Sequence, residues 1–278
     1  MKSQRIGPKA GLYRLVCALL VTFVCTPAFA QLAERIYRDG FEVVIPRLND
    51  TGQDWCASAT VRNLTCPQSG FPRQDGDFGR DALARAGQLI KIGGGDAGFD
   101  FTKISNSGQP LPATAQLGTG ANNWGCTRDN LTGLLWEVKF PDAASLRHRN
   151  HTYTWYSTDG SINGGNPGNV GIAGSCSSTL SLCNTQAFVA AVNAQGLCGF
   201  DDWRMPDQGQ LFGIVSQGRT NPAIDPFYFP NTLTSFYWTG RTQAGDASNA
   251  WGVTFDNGFL PGGAKSVTFH VRLVRGGE

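Results

Sequence analysis

The chain has 278 residues, of which 23 are Lys or Arg and 21 are Asp or Glu, so its formal net charge is +2. Only 16% of the residues are charged, whereas 36 glycines, seven Trp and 17 Phe supply turns and bulky core side chains. These numbers exclude a disordered tail, a coiled coil and a basic nucleic-acid-binding domain, which need more charge and fewer aromatic residues. The length suits one large domain or two small ones.

Residues 1–30 have the layout of a secretory signal peptide. They contain four basic residues and no acidic one, followed by an apolar stretch at 15–24 and a small-x-small motif at 28–30. Such a segment is too short and wrongly flanked to be a membrane span. We expect cleavage after Ala30 and a secreted, periplasmic or cell-surface protein. Without its four basic residues the chain keeps 19 basic and 21 acidic residues, a net charge of −2.

Six cysteines remain after the expected cleavage, and in an exported chain they predict three disulfides. A metal site is disfavoured because no C-x2-C pair exists and the three histidines are not spaced as zinc ligands would be. Fifteen pairings are possible. Cys56–Cys66 and Cys176–Cys183 could each close a short loop, and that would leave Cys126–Cys198 as a long cross-link.

The amino-terminal part of the mature chain gives weak signals. Residues 31–47 predict a linker or a leading strand, and the domain proper is expected to occupy residues 48–278. Residues 50–120 are rich in Gly, Asp, Asn and Pro. This composition predicts long loops with a few short strands, which the cysteines would have to hold in place.

Strand signals become clear after Cys126. Residues 134–138 (LLWEV) predict a short strand after the turn at 130–133. Residues 151–156 (HTYTWY) alternate threonine with larger side chains, which is typical of a strand. Residues 157–182 are rich in Gly, Ser and Asn and predict a loop.

Two helices are predicted next. The first spans about 185–195, because its apolar residues recur at helical spacing, Asn184 or Thr185 can cap it, and Gly196 can end it. The second begins at Asp207, which has the spacing of a capping box with Gln210. We expect Gly218 to end this second helix.

The last third predicts strands only. Three segments, 236–239, 250–255 and 267–274, are separated by turn residues. In the last segment alternate side chains would share one face of the sheet: Val267, Phe269, Val271 and Leu273. Two short helices followed by antiparallel strands predict an α+β domain without internal repeats.

Two sequence blocks identify a family resemblance. Residues 128–139 (RDNLTGLLWEVK) resemble the DN-x-TGL-x-WE signature of the Lcl C-terminal domain family, also called DUF1566. Residues 197–206 (LCGFDDWRMP) resemble its LCG-xx-DWRLP block, and the ending 271–277 (VRLVRGG) fits as well. Order and spacing agree over roughly 48–277, so the joint resemblance is far more specific than any one block.

The resemblance implies a fold and a ligand class. The family is thought to be distantly related to the C-type-lectin-like and formylglycine-generating-enzyme folds, which implies a twisted antiparallel sheet with two helices and long loops. Its namesake, the carboxy-terminal domain of a Legionella collagen-like adhesin, binds sulfated glycosaminoglycans. This chain has Asp207 and Gln210 where the family usually has Thr and Glu, so any role that needs the Glu charge is in doubt.

Most residues of these blocks are expected to be structural. A Trp before a helix cap is more often core than a binding platform. The guanidinium of Arg204 is expected to bond carbonyls or a buried carboxylate, because its planar fork suits fixed acceptors. The residues assigned to this structural group are Asp129, Asn130, Gly133, Trp136, Glu137, Trp203, Arg204 and Pro206.

One basic and aromatic patch is the candidate ligand site. Its arginines could hold a sulfate or carboxylate, and its aromatic rings could stack on sugars. The alternative is an ordinary solvated loop, since short charge runs usually are. The candidate residues are Arg147, His148, Arg149, His151, Tyr153, Trp155 and Tyr156.

Cofactors and catalysis find little support. Asp225, Asp246 and Asp256 lie in loops where lectin-type folds can hold calcium, but they do not form a dense oxygen-ligand loop. We expect no other cofactor and no metal. Neither a G-x-S-x-G elbow nor an H-E-x-x-H motif occurs, and the paired carboxy-terminal cysteines of formylglycine-generating enzymes have no counterpart here.

The leading hypothesis is therefore an exported, non-catalytic, adhesin-like binding module for a sulfated or other glycan. The alternatives are a structural or protein-interaction domain of the cell envelope and, less favoured, a hydrolase. Nucleic acid is not an expected partner. The oligomeric state stays open.

Overall fold

A computed structural model describes residues 48–277, which belong to one unit of contacts. The predicted signal peptide and the 31–47 segment lie outside these residues. None of the described helices is long and apolar enough to cross a membrane. The described chain is an α+β domain with three short α-helices and ten antiparallel strands in three sheets.

The long loops predicted for residues 50–120 are present, but they also contain a helix that the sequence patterns did not predict. Helix α1 spans Gly79–Arg85 and has no side-chain cap at Phe78. Its one turn of apolar residues is half exposed, with Leu83 at 44%. A helix so short and so little buried leaves no apolar periodicity to detect.

A five-stranded sheet forms the first layer. Its strands are β1 (Phe101–Ser105), β2 (Pro110–Leu111), β3 (Trp124–Asp129), β4 (Leu135–Glu137) and β10 (Val274–Arg275), in the order β10-β4-β3-β1-β2. The turn between β3 and β4 is closed by the Asp129 carboxylate, which accepts hydrogen bonds from the amides of Leu131 and Thr132. Gly133 completes the turn at φ 76°, a conformation that glycine adopts at little cost.

The two predicted helices are confirmed, one with a corrected end. Helix α2 spans Thr185–Gln195, is capped by the Asn184 side chain and ends at Gly196 in the left-handed conformation. Helix α3 spans Gln208–Phe212 and begins with the predicted capping box between Asp207 and Gln210. It ends at Phe212, with Gly213 as its C-cap, and not at Gly218.

The carboxy-terminal strands form two further sheets. One contains β6 (Phe236–Gln243), β7 (Asp246–Thr254) and β8 (Gly262–Ala264), and the other pairs β5 (Tyr153–Thr154) with β9 (Thr268–Phe269). The single strand expected over 267–274 was wrong. The chain crosses from β9 to β10, which belong to different sheets, and His270 and Arg272 between them are buried along with Val271 and Leu273.

The three disulfides are confirmed as Cys56–Cys66, Cys126–Cys198 and Cys176–Cys183. The first and last close short loops, with sequence separations of 10 and 7 residues. The Cys126–Cys198 bond joins β3 to the segment that follows α2 across a separation of 72 residues. This disulfide therefore fixes the end of α2 and the segment after it to the five-stranded sheet.

Residues 48–277 contain four lysines, and each ammonium group has partners inside the fold. Lys265 donates to two loop carbonyls at Nζ–O distances of 2.9 and 2.6 Å and lies 4.1 Å from the centre of the Trp155 ring. Lys91 donates to two other carbonyls, both at 2.6 Å. The Lys103 ammonium lies 4.0 and 4.2 Å from two aromatic rings, and Lys139 pairs with a carboxylate.

Candidate functional site

Most of the predicted ligand patch is buried, which contradicts its interpretation as an exposed sugar-stacking surface. Arg149 is exposed and Tyr156 is partly exposed. The other five members have at most 8% of their surface exposed: Arg147, His148, His151, Tyr153 and Trp155. The segment at 147–156 alternates polar and aromatic residues because it passes through the core. Its polar groups form hydrogen bonds inside the fold.

A buried cluster of four charged residues explains the position of Arg147. Its guanidinium donates to the carbonyls of Gly125 and Val138 at 2.9 and 2.8 Å. The Lys139 ammonium lies 2.7 Å from a carboxylate oxygen of Glu137, and the guanidinium of Arg272 donates to the Glu137 carbonyl. Burial lowers the pKa of Lys139 to about 8, although the neighbouring Glu137 carboxylate raises it. Lys139 thus pairs directly with the Glu137 carboxylate, whereas the two guanidinium groups nearby donate to backbone carbonyls.

The three histidines lie beside this cluster. The rings of His148 and His151 are 5.0 Å apart, and Nδ1 of His270 donates to the His151 carbonyl at 3.1 Å. Burial, followed by the Lys139 charge, lowers the pKa of His270 to about 4. Burial also lowers the pKa of His151. The buried His270 ring is therefore neutral near pH 7.

The residues of the second sequence block make contacts within the fold. Trp203 is buried, and its indole N–H donates to the Leu197 carbonyl at 3.0 Å. Arg204 donates to the Gln210 side chain at 2.8 Å and to the Gly276 carbonyl at 3.0 Å. The arginine thereby joins the start of α3 to the end of the chain.

The first block is also built into the fold. Trp136 and Glu137 are fully buried in β4. The Asn130 side chain donates to Asp100 at 2.8 Å and to Thr102 at 2.9 Å, which ties the β3–β4 turn to β1. These contacts hold the first block within the five-stranded sheet.

An open cleft of about 590 Å³ is here called the central cleft. Its walls are the segment after β5, the first turn of α2, the residues before and within α3, and the end of β6. The hydroxyl of Thr185 holds the first wall in place, because it accepts from the Tyr156 amide and donates to the Tyr156 carbonyl. Pro206 is fixed against β6 by a 2.7 Å hydrogen bond from the Gly240 amide to its carbonyl.

The central cleft combines apolar walls with charged groups. Ile162, Val189 and Met205 contribute apolar surface. Asp159 and Arg241 are exposed at the rim, and hydrogen bonds from Ser161, together with the Arg241 charge, lower the pKa of the Asp159 carboxyl. Asp159 is therefore an ionised hydrogen-bond acceptor at neutral pH rather than a proton donor.

The possible calcium aspartates do not come together. Asp225 is buried and accepts hydrogen bonds from the amides of Phe227 and Asp96, whereas Asp246 bonds Ser248 in the β6–β7 turn. Neither these residues nor Asp256 belongs to a convergent group of acidic, His or Cys side chains in the described chain. Their separation follows from the fold, which places them in different loops.

One other acidic group does converge. The carboxylates of Asp50, Asp75 and Asp81 lie within 4.8 Å of one another. Burial raises the pKa of Asp81, with a further contribution from the charge of Asp50. Thr51 donates hydrogen bonds to Asp75 and Asp81, so the fold itself supplies donors to this group. Another group at ligating distance contains Cys56 and Cys66, whose sulfurs are joined in a disulfide.

Sequence reasoning missed the rim of the central cleft. Arg241 is an isolated arginine at the end of β6, and Asp159 lies in the segment at 157–182 that was predicted only as a loop. The predicted residues Trp155, Tyr156, Arg204 and Pro206 all line this cleft, although the sequence assigned them to separate groups. The one available signal was the polar end of an otherwise aromatic strand at 236–241.

Comparison with known proteins gives one match. The family model described as the Lcl C-terminal domain matches residues 125–275. This range begins in β3, ends in β10 and contains every wall of the central cleft except Gly277. No curated protein and no solved structure matches the chain.

Proposed function

Because the chain belongs to the Lcl C-terminal domain family, we propose that it is an exported, non-catalytic module that binds a glycan in the central cleft. Three disulfides are compatible with an extracellular or secreted protein. A C-type-lectin-like arrangement is part of this proposal and is supported by the combination of short helices, antiparallel sheets and three disulfides.

The observation that carries the proposal is the mixed character of the cleft. Sugar rings present both apolar C–H faces and hydroxyl groups, so a site for them needs apolar walls with a few fixed polar groups. Tyr156 and Met205 supply apolar surface, and Asp159 and Arg241 supply an acceptor and a donor at the rim. The disulfide-linked fold holds these walls in place before a ligand arrives.

A hydrolase is less well supported by the same geometry. The described residues that line the central cleft include no His, Cys, Lys or Glu. A carboxyl pair would need one member with a raised pKa to act as the acid. Hydrogen bonding lowers the pKa of Asp159, and Asp207 is already engaged as the cap of α3.

A glycan array with the mature protein tests the proposal. We expect Arg241→Ala to weaken binding by about tenfold, the effect of losing one hydrogen bond to a charged group. Arg62→Ala is the matched control, because this substitution removes the same charge from another exposed arginine. Arg62 does not line the cleft. Binding that is unchanged in Arg241→Ala, or lost equally in both variants, contradicts the proposal.

A protein-interaction domain is the second candidate, and exposed apolar residues favour it. Ile90 and Ile92 are 92% and 82% exposed on the same loop, beyond the end of α1. Exposed apolar patches mark interaction surfaces in many proteins. A glycan array without any binding, together with a specific protein that co-purifies, would favour this candidate.

A further inference from the structure

The central cleft continues at both ends into neighbouring clefts. One of about 290 Å³, here the turn-side cleft, shares Asp207, Gln210 and Gly277 with the central cleft. Another of about 510 Å³, here the hairpin-side cleft, shares Ile162 and Arg241 with it. Since each neighbour shares lining residues with the central cleft, the three form one groove from the β3–β4 turn, across α3, to the β6–β7 hairpin.

The described lining of this groove has an excess of negative charge. Arg204 and Arg241 are its two cationic residues. The four acidic residues are Asp129, Asp159, Asp207 and Asp246, and the carboxylates of Asp129, Asp207 and Asp246 also accept hydrogen bonds from within the fold. Arg204 already donates to Gln210 and Gly276, so Arg241 is the guanidinium most available to a ligand. Such a surface repels a polyanion, whereas carboxylates accept strong hydrogen bonds from hydroxyl groups.

We propose that this groove binds a linear, uncharged glycan chain along its length and discriminates against sulfated chains. The inference rests on the proposed function and adds the shape and charge of the ligand. Each of the three clefts would hold a different part of the chain, so affinity should grow with chain length until the groove is full.

The lining of the hairpin-side cleft favours a glycan over an extended peptide. Peptides in grooves are anchored by side chains in apolar pockets or by pairing with a strand edge. The hairpin-side cleft is lined mainly by Gly, Ala, Ser, Thr and Gln residues of 161–164 and 241–247. Small and hydroxyl-bearing residues of this kind suit a chain whose every unit offers hydroxyl groups.

The test is a calorimetric titration of the mature protein with neutral linear oligosaccharides, from disaccharide to hexasaccharide, and with a sulfated heparin hexasaccharide. The neutral series should use β-1,4-linked glucose, xylose, mannose and N-acetylglucosamine oligomers. We expect at least one neutral series to bind about tenfold more tightly as hexasaccharide than as disaccharide. The heparin hexasaccharide should bind more weakly than that neutral hexasaccharide.

A variant that blocks one end of the groove separates chain length from general affinity. Ala244 is an exposed residue of the β6–β7 turn and lines the hairpin-side cleft. Ala244→Trp should weaken hexasaccharide binding by about tenfold and disaccharide binding by much less. Ala144→Trp is the matched control, at an exposed turn residue outside the groove.

The outcomes distinguish the two levels of the proposal. Equal affinity for disaccharide and hexasaccharide, or tighter binding of heparin, overturns the linear uncharged ligand and leaves the glycan-binding function standing. Binding of extended peptides with no glycan bound overturns both. Equal losses in Ala244→Trp and Ala144→Trp show that the hairpin-side cleft contributes no contact and also overturn the inference.

Discussion

Replacing His270 by Gln should make the protein less sensitive to mild acid. His270 is 7% exposed, and its Nδ1 donates to the His151 carbonyl, a hydrogen bond that a glutamine amide can also donate. The groups that surround it are Lys139 from the segment after β4, the backbone of Arg149 and His151, and the ring of Tyr237 from β6. None of them is a carboxylate that would favour the charged imidazole.

The size of the effect follows from the two pKa values. The pKa of His270 is lowered from 6.5 to about 4 in the folded protein. Near pH 7 the ring is neutral in both states, so it contributes little to the pH dependence. Below pH 6.5 the unfolded chain takes up the proton and the folded protein does not, so stability falls until the pH approaches 4. At pH 5 this costs about 2 kcal/mol, and below pH 4 about 3 kcal/mol.

Urea unfolding followed by tryptophan fluorescence measures this effect at pH 7 and pH 5. The other titrating groups are common to both proteins, so the difference in unfolding free energy between wild type and His270→Gln isolates the histidine. We expect that difference to shift by about 2 kcal/mol in favour of the variant between the two pH values. A shift below about 0.5 kcal/mol, the usual error of such differences, would refute the reasoning.

Two further predictions concern the charged cluster and the disulfides. Glu137→Gln removes the one carboxylate among three buried cations, and we expect a loss of about 3–5 kcal/mol in urea unfolding at pH 7, whereas a loss below about 1 kcal/mol would contradict the cluster's role. Replacing both cysteines of Cys126–Cys198 by Ala should cost about 4 kcal/mol, because the bond spans 72 residues. The same change at Cys176–Cys183, with a separation of 7 residues, should cost about 2.5 kcal/mol, and equal costs would argue against loop closure as the cause.

Local signals predicted helices and disulfides well. The capping side chains of Asn184 and Asp207 act within three residues of themselves, so their sequence spacing is enough to place both helix starts. The cysteine pairs with short separations are likewise local. The third pair, Cys126–Cys198, then consists of the two cysteines that remain.

The last strands and the ligand patch could not be placed in the same way. An alternating pattern at 267–274 predicts one amphipathic strand, but residues 270–274 are buried on both sides and the segment links two sheets. The charged residues at 147–151 likewise predicted an exposed segment. A single sequence does not show that the carbonyls of Gly125 and Val138 accept hydrogen bonds from a buried Arg147. The central cleft could not be predicted without the tertiary structure, because its walls come from four separate segments of the chain.

The internal lysines have a practical consequence for the binding experiments proposed above. Three of the four lysines of residues 48–277 are buried, and the partly exposed Lys91 donates to two carbonyls, so all four ammonium groups are held by carbonyls, rings or a carboxylate. Amine-reactive esters and lysine-specific proteases need accessible lysine side chains, so the folded domain should be a poor substrate for both. Labels and surface linkers for the glycan measurements are therefore better attached through an added tag than through lysine, and the groove would remain chemically unmodified.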